Sequence, residues 1–260
     1  MPRHHRLFDP DTVTTAAAVT DDAAAKNRWG YWATAAWAAV AFLVGQFAAL
    51  AFVVLWRSGE FFKVLEAPFD GVLVTLFILI SNPISVAVLW LAARLAKADP
   101  MEYLALRWPK PRDLIMGLVL LAGFIVLSDL LLYLSGRDLV TQFQLQSYTS
   151  AAAEGILPAM LFAAIIVAPA GEEVLFRGFL YRGFARTERQ VWPAIVVISL
   201  LWAALHIQYD WTGLLQIFLI GLFLGWMRWR SGSLWLTFLL HALFNLEGTL
   251  ETVLQVKFLS

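Results

Sequence analysis

Two carboxylates, two imidazoles and one amide stand in apolar surroundings in the C-terminal half of the chain. Glu172 and Glu173 are adjacent, His206 follows in a second apolar stretch, and His241 and Asn245 lie four residues apart in a third. A carboxylate or an imidazole can take a proton from water as a general base, and a bound metal can instead lower the pKa of that water. An amide is a neutral donor that suits a developing oxyanion. These residue types indicate hydrolysis.

Spacing separates the expected roles of the two glutamates. Glu173 and Arg177 are four residues apart, so on a helix they share a face and can form an ion pair. Glu172 points about 100° away from that face and is left free to act as a base. The same four-residue spacing places His241 and Asn245 side by side on their own helix.

The candidate residues are compatible with a metal and with its absence. Glu172, His206 and His241 would make a zinc ligand set, because two histidines and a glutamate hold the zinc of some peptidases. The same residues can serve as base and donors without a metal. One divalent ion, with zinc as the best match, and a metal-free glutamate mechanism both stay open. The sequence contains no HExxH, GxSxG, Walker or GxGxxG motif, so no nucleotide site is indicated.

Composition indicates where these residues lie. Of the 260 residues, 60% are hydrophobic and 15% are charged, whereas soluble domains average about 45–50% and about 25%. The formal net charge is zero, and the basic residues lie in short connections, so no nucleic-acid partner is predicted. Cysteine is absent, which excludes disulfides and thiolate ligands. The chain is therefore predicted to be an integral membrane protein in contact with a lipid bilayer.

Crossing the hydrocarbon takes about 20 apolar residues, and seven stretches reach or approach that length. They predict an all-α fold, a polytopic helical bundle with about seven transmembrane helices and a range of six to eight. The fifth and sixth stretches are short, and the end of the seventh carries two glutamates. Together with Asp129, these glutamates, Glu247 and Glu251, are expected near the ends of their spans. The predicted spans are 31–56, 71–93, 114–135, 156–180, 193–207, 212–227 and 233–254.

The predicted organisation has four parts, and two of its connections are long. The connection 97–113 mixes apolar and basic residues and suits the membrane interface, whereas 136–155 is polar and is expected to be external. The parts are a polar cytoplasmic tail (1–28), N-terminal transmembrane helices with interfacial segments (29–155), a transmembrane catalytic core (156–254) and a C-terminal end (255–260).

Charge in the connections predicts the orientation. Alternate connections carry 14 Lys and Arg on one side and 4 on the other, and positive charge is held in the cytoplasm. The N-terminus is therefore predicted to be cytoplasmic, in the cell's inner or plasma membrane. At 1.5 Å per residue, the polar residues of three spans fall at one depth in the cytoplasmic half, which favours one site open to the cytoplasm. These residues are Glu172, His206, His241 and Asn245.

Three segments resemble the motifs of a known family. EEVLFR (172–177) is similar to EExxxR, WAALH (202–206) to FxxxH, and HALFN (241–245) to HxxxN. These are the motifs of the CPBP intramembrane proteases, which include type II CAAX prenyl endopeptidases and the bacterial Abi proteins. The resemblance covers roughly residues 156–250. It implies a helical membrane core and an endopeptidase that hydrolyses a peptide bond near the end of a membrane-associated protein or peptide.

The resemblance also implies a role for each matching residue. Its catalytic positions are Glu172, His206, His241 and Asn245. The first two would activate the attacking water, and the last two would stabilise the oxyanion or hold a metal. Glu173 and Arg177 would be the supporting pair. Trp202 stands where the motif has Phe, and this departure is expected to reshape the substrate pocket without removing the chemistry.

Three other interpretations remain. The polar residues could only lock helices together, since interhelical hydrogen bonds have that use in membranes. Some relatives are linked to bacteriocin immunity or to scaffolding, so an inert binding protein is the main alternative. A proton-coupled transporter also uses intramembrane acids and histidines, but it does not need an asparagine paired with His241. The oligomeric state is not predicted.

Overall fold

The computed structural model describes residues 28–56 and 69–258. Within these ranges the chain forms nine helices and no strand, which confirms the predicted all-α class. The predicted polar tail, apart from Arg28, lies outside the described residues. The helices are α1 (Tyr31–Trp56), α2 (Gly71–Leu95), α3 (Pro100–Tyr103), α4 (Pro111–Leu134), α5 (Gln142–Ala153), α6 (Leu157–Phe184), α7 (Glu188–Ala204), α8 (Trp211–Ser231) and α9 (Leu234–Phe258).

A helix occupies each of the seven predicted spans. Among the described residues, five helices are long and apolar enough to cross a membrane, namely α1, α2, α4, α6 and α8. Helix α7 has 17 residues, which is roughly 25 Å and shorter than the hydrocarbon layer. Helix α9 has 25 residues, but its polar site residues lower its hydropathy. The fold is a polytopic helical membrane bundle.

Small residues bring α1 and α2 together. Gly45 faces Ser81 and Ser85 of α2 with no room for a side chain, and Ser85 Oγ donates to the carbonyl oxygen of Ala41 at 2.9 Å. Apolar side chains gain little from burial against each other in lipid, so close contact of small residues and hydrogen bonds hold such pairs. This pair forms a wall against which α6 packs.

Helix α6 is wound irregularly around the two glutamates. Wider π-helical turns over Ala163–Val167 and Val174–Leu180 flank the α-helical turn Ala168–Glu173. In the first π turn the N–H of Ala168 bonds five residues back to Ala163. Pro169 comes next and has no N–H, so the carbonyl of Ala164 is left without a backbone donor. Single π turns inside α-helices are frequent at functional sites.

The predicted fifth span, 193–207, is wrong at both ends. Helix α7 begins at Glu188 and ends at Ala204, so His206 lies in the connection after the helix and not within a span. The α-helical pattern stops where the N–H groups of Leu205 and His206 bond only three residues back, to Trp202 and Ala203. The connection then runs to Asp210, which caps α8 by accepting the N–H of Gly213 at 2.9 Å. That hydrogen bond, with one from Thr212, lowers the pKa of the Asp210 carboxyl.

The predicted external connection 136–155 contains a helix that we did not expect. Helix α5 begins with a capping box, in which Thr141 and Gln144 bond each other's backbone N–H. Ser150 Oγ accepts the N–H of Gly71 at 2.7 Å, so α5 is attached to the start of α2. The capping-box pattern was present in the sequence and could have identified this helix.

The connection 97–113 packs more deeply than an interfacial segment would. Tyr103 and Leu104 are fully buried, and the carbonyl of Ala105 accepts the N–H of Leu234 at the start of α9 at 2.9 Å. Trp108 remains 83% exposed and stacks on Trp235. The connection therefore holds the first turn of α9 while its tryptophan faces outward.

Gly171 provides a test of the contact between α6 and α2. A Cβ at this position would overlap the side chain of Asn82, and overpacking costs about 1–3 kcal/mol. We expect Gly171→Ala to lower the amount of folded protein, measured by detergent-solubilised, monodisperse yield. Adding Asn82→Ala should restore part of the yield, because it removes the two closest of the three overlapping atoms and keeps only Cβ. An unchanged yield of the single variant would contradict this packing.

Candidate active site

A buried carboxylate forms the centre of the site. Glu173 Oε1 accepts hydrogen bonds from Arg177 Nη1 at 2.9 Å and from His241 Nδ1 at 3.0 Å. The side chains of Glu173 and Arg177 are each 1% exposed. The predicted ion pair is present, and it also holds a histidine from α9. Arg177 further donates through Nη2 to the carbonyl of Gly221 at 3.3 Å, which links α6 to α8.

This contact fixes the orientation of His241. The Glu173 carboxylate is paired with Arg177 and acts as an acceptor, so His241 Nδ1 carries the hydrogen. In the neutral ring, Nε2 is then the acceptor nitrogen. It lies 4.0 Å from Glu172 Oε2. A carboxylate behind a histidine sets the tautomer and the direction of the ring in this way in many catalytic and metal sites.

Glu172 points away from the ion pair but is not free of contacts. Its Oε2 accepts the indole N–H of Trp202 at 2.6 Å, and its side chain is 25% exposed. No hydrogen bond from the described part of the chain reaches its Oε1. The two adjacent glutamates therefore occupy different surroundings, one buried and paired and the other open on one oxygen.

His206 is oriented by the backbone of α7. Its Nδ1 lies 2.8 Å from the carbonyl oxygen of Trp202, and a carbonyl can only accept, so Nδ1 donates. Its backbone N–H bonds to Ala203, and the Trp202 carbonyl, which also accepts the N–H of Leu205 at 3.2 Å, has a second lone pair for this contact. As in His241, the acceptor nitrogen of the neutral ring is Nε2.

Trp202 connects these groups. Its ring is 2% exposed and meets the rings of His206 and His241 edge to face, with centroid distances of 5.3 and 5.1 Å. The guanidinium of Arg177 lies over its face at 4.4 Å from the centroid. The structure thus brings five of the predicted site residues together with a sixth, Trp202: Glu172, Glu173, Arg177, His206 and His241.

Asn245 contacts α6 and not the imidazoles. Its Nδ2 donates to the carbonyl of Ala164 at 2.9 Å, which is the carbonyl that Pro169 leaves without a backbone donor. An amide nitrogen carries two hydrogens, so one remains for another acceptor. The proposed role at an oxyanion stays a prediction.

The predicted zinc ligands do not form a tetrahedral set in this arrangement. Zinc bonds of about 2.0–2.1 Å place neighbouring ligand atoms about 3.4 Å apart, whereas Glu172 and His241 present atoms 4.0 Å apart. His206 does not bring a ring nitrogen within 4.8 Å of both of them. The donor types suit a metal, but their spacing does not, so a bound metal stays a prediction.

Sequence reasoning missed Tyr209, which lies in the connection between α7 and α8. Its ring lies 6.1 Å from that of His206. Burial raises the pKa of its hydroxyl, and the nearby charge of Glu172 raises it further. The hydroxyl therefore stays protonated at neutral pH as a neutral donor beside the site. No spacing rule could find it, because it belongs to no helix.

Three further acids that we expected near span ends lie together. Asp129 of α4 and Glu247 and Glu251 of α9 place carboxylate oxygens within 4.8 Å of one another, and all three are half-buried. Among the described residues they are the group of three whose ligand atoms are close enough to hold a metal ion.

A family model matches the region that contains the site. Residues 154–246 match the Rce1-like family, described as type II CAAX prenyl endopeptidases. This match confirms the predicted resemblance to the CPBP family. It indicates a peptidase at the level of the family, and it leaves the mechanism open. No solved structure matches the chain.

A curated relative from Escherichia coli, described as an uncharacterized 24.3 kDa protein, is 41% identical over 83 residues. The aligned part is 31% of this chain and 38% of the relative. The chain therefore matches less than two fifths of the relative's length, and that relative's description adds no activity.

Removing Arg177 should destabilise the CPBP-like region. Breaking a buried ion pair from one side costs about 3–5 kcal/mol because the remaining charge has no partner. We expect Arg177→Ala to reduce the folded yield strongly and to lower the melting temperature in detergent. Arg230→Ala is the matched control, because its pair with Asp113 is longer, at 3.6 Å, and more exposed. Equal behaviour of the two variants would contradict a structural role for the Glu173–Arg177 pair.

Proposed function

We propose that this protein is an intramembrane endopeptidase that hydrolyses a peptide bond of a membrane-associated protein or peptide. The observation that carries the proposal is the pair of acceptors formed by Glu172 Oε2 and His241 Nε2, which face each other at 4.0 Å. The indole N–H of Trp202 holds Glu172 Oε2 by a hydrogen bond, and Glu173 holds the His241 ring through its other nitrogen, Nδ1. Two fixed acceptors at this separation can orient one water molecule, which donates a hydrogen to each.

Glu172 is the proposed general base. It takes a proton from the water while the water oxygen bonds to the carbonyl carbon of the substrate. The C–N bond then breaks, and the leaving nitrogen receives the proton that Glu172 holds. The proton removed from the water thus ends on the leaving nitrogen, which also takes the electron pair of the broken C–N bond. General base catalysis of this kind requires hydrogen-bond contact with the water, and Glu172 Oε2, which lies 4.0 Å from His241 Nε2, can provide it.

The oxyanion needs a donor, and the neutral imidazoles present acceptors at Nε2. Asn245 has one amide hydrogen left after its bond to Ala164, and Tyr209 keeps its hydroxyl hydrogen. These are the neutral donors that suit a developing oxyanion. His206 completes the polar wall of the site, with its Nε2 free to accept from water or from the substrate backbone.

The substrate class is proposed from the family description. A type II CAAX prenyl endopeptidase cleaves near the end of a chain that carries a lipid, and the bundle here surrounds its site with membrane-spanning helices. We propose that the site opens to the cytoplasmic side, as the charge distribution predicts, and that the substrate enters from the membrane surface.

The two glutamates should respond differently to the same substitution. Glu172→Gln keeps the size and removes the base, so we expect normal folded yield and hydrolysis reduced by about 10²–10⁴-fold. Glu173→Gln weakens the pair with Arg177 and the support of His241, so we expect a lower yield with a smaller loss per folded molecule. The measurement is cleavage of a membrane-anchored peptide library by purified protein in liposomes, with yield quantified in parallel.

Retention of activity per folded molecule in Glu172→Gln would show that this carboxylate is not the base. Absence of cleavage by the unmodified protein across CAAX-type and unlipidated membrane peptides would instead favour an immunity or scaffold protein.

Metal dependence can be tested on the same preparation. Because the spacing of Glu172, His206 and His241 does not match zinc, we expect full activity in excess chelator and metal content well below one equivalent. Three results together would establish the metal mechanism. The purified protein would contain about one equivalent of zinc, its activity would be lost in chelator, and the activity would return when zinc is added back.

A further inference from the structure

Trp202 donates a short hydrogen bond to Glu172, and it does so from a position where the family motif has Phe, which cannot donate. The indole Nε1 lies 2.6 Å from Glu172 Oε2, and the tryptophan is 2% exposed. A buried donor is costly to leave unpaired, so this N–H holds on to the carboxylate. Phenylalanine would fill part of the same space without this bond.

The direction of that N–H is fixed by the packing of the ring. Arg177 covers one face at 4.4 Å, and the two histidine rings meet it edge to face. On the side of α8, a Cβ placed on Gly221 would lie only 3.1 Å from the ring, so this glycine allows the indole to fit between the helices. The ring has little freedom to turn, and the donor keeps one direction.

A fixed donor determines which oxygen of Glu172 faces which neighbour. The terminal torsion of a glutamate is broad and nearly two-fold, so an unrestrained carboxylate exchanges its oxygens freely. With Oε2 held by Trp202 and placed 4.0 Å from His241 Nε2, Oε1 is turned to the part of the side chain that is open. The hydrogen bond thereby selects one of several orientations of the base.

We propose that Trp202 is a positioning residue that aims the general base Glu172 through its indole N–H. This inference rests on the proposed function, because it assigns the base a partner. It differs from a place in the substrate pocket, which the sequence predicted for Trp202. A pocket residue acts on the binding of substrate, whereas a positioning residue acts on the chemical step.

The test replaces the N–H alone. Incorporating 3-(3-benzothienyl)alanine at position 202 exchanges the N–H for sulfur with nearly the same shape, and Trp202→Phe removes the donor with part of the ring. We expect kcat to fall about 10–100-fold in both variants, since small misplacements of a catalytic group cost up to about 10²-fold. KM and folded yield should stay within about twofold in the benzothienyl protein, because shape and burial are retained. The same replacement at Trp192, which is 51% exposed, should change nothing.

A kcat equal to that of the unmodified protein would overturn the proposal, and so would a change confined to KM or to substrate preference. Inactivity of the unmodified protein would overturn both the proposal and the proposed function, so the two failures are distinguishable. If neither variant folds, the contact is tested by the indole N–H proton resonance in a protein that carries nitrogen-labelled tryptophan at position 202 alone, so that the signal needs no further assignment. Glu172→Gln should shift the Trp202 resonance upfield, and an unchanged resonance would also overturn the proposal.

Discussion

One carboxylate oxygen, Glu173 Oε1, holds the polar centre of this protein together. It binds the guanidinium of Arg177 on its own helix and the imidazole of His241 on α9. Charges removed from water are expensive in a membrane protein, and these two neutralise each other, although Glu173 Oε2 and Arg177 Nε have no hydrogen-bond partner among the described residues. Arg177 extends the contact to α8 through Gly221, so α6, α8 and α9 are joined by a single acidic group. The position of His241 follows from this junction, whereas Glu172 and His206 are held by Trp202.

One of the two adjacent glutamates has a structural role and the other a chemical role, because their side chains point in different directions from the same turn of α6. Glu173 faces the interior, where a carboxylate can be kept only with partners. Glu172 faces the open side, where it meets Trp202 and His241 and keeps one oxygen accessible. A motif with only one of them would lack either the junction or the base. This division explains why adjacent acids occur in a chain of which 60% is hydrophobic.

The sequence predicted much of this arrangement, and its failures have physical causes. Hydropathy placed helices at all seven spans, because lipid requires long apolar runs, and four-residue spacing predicted the Glu173–Arg177 pair. His206 was placed inside a helix because the apolar pattern runs past Ala204, whereas the N–H groups of Leu205 and His206 bond only three residues back and the α-helix ends before them. The hydrogen bond from Trp202 to Glu172 depends on how α7 lies against α6. No periodicity within either helix contains that information.

The π turns of α6 change the directions in which its side chains point. A π turn adds a residue to one revolution, so the side chains after it are rotated relative to an ideal α-helix by about 100°. The turn that carries the glutamates lies between two such π turns. The direction of the glutamate side chains is therefore rotated relative to the parts of α6 that precede and follow them. Deleting one residue from the first π turn, Ala163–Val167, would preserve every motif in the chain while rotating the carboxylates against the histidines. The site therefore depends on the winding of α6 as well as on residue types. Asn245 of α9 binds the carbonyl that Pro169 leaves without a donor, and this hydrogen bond stabilises that winding.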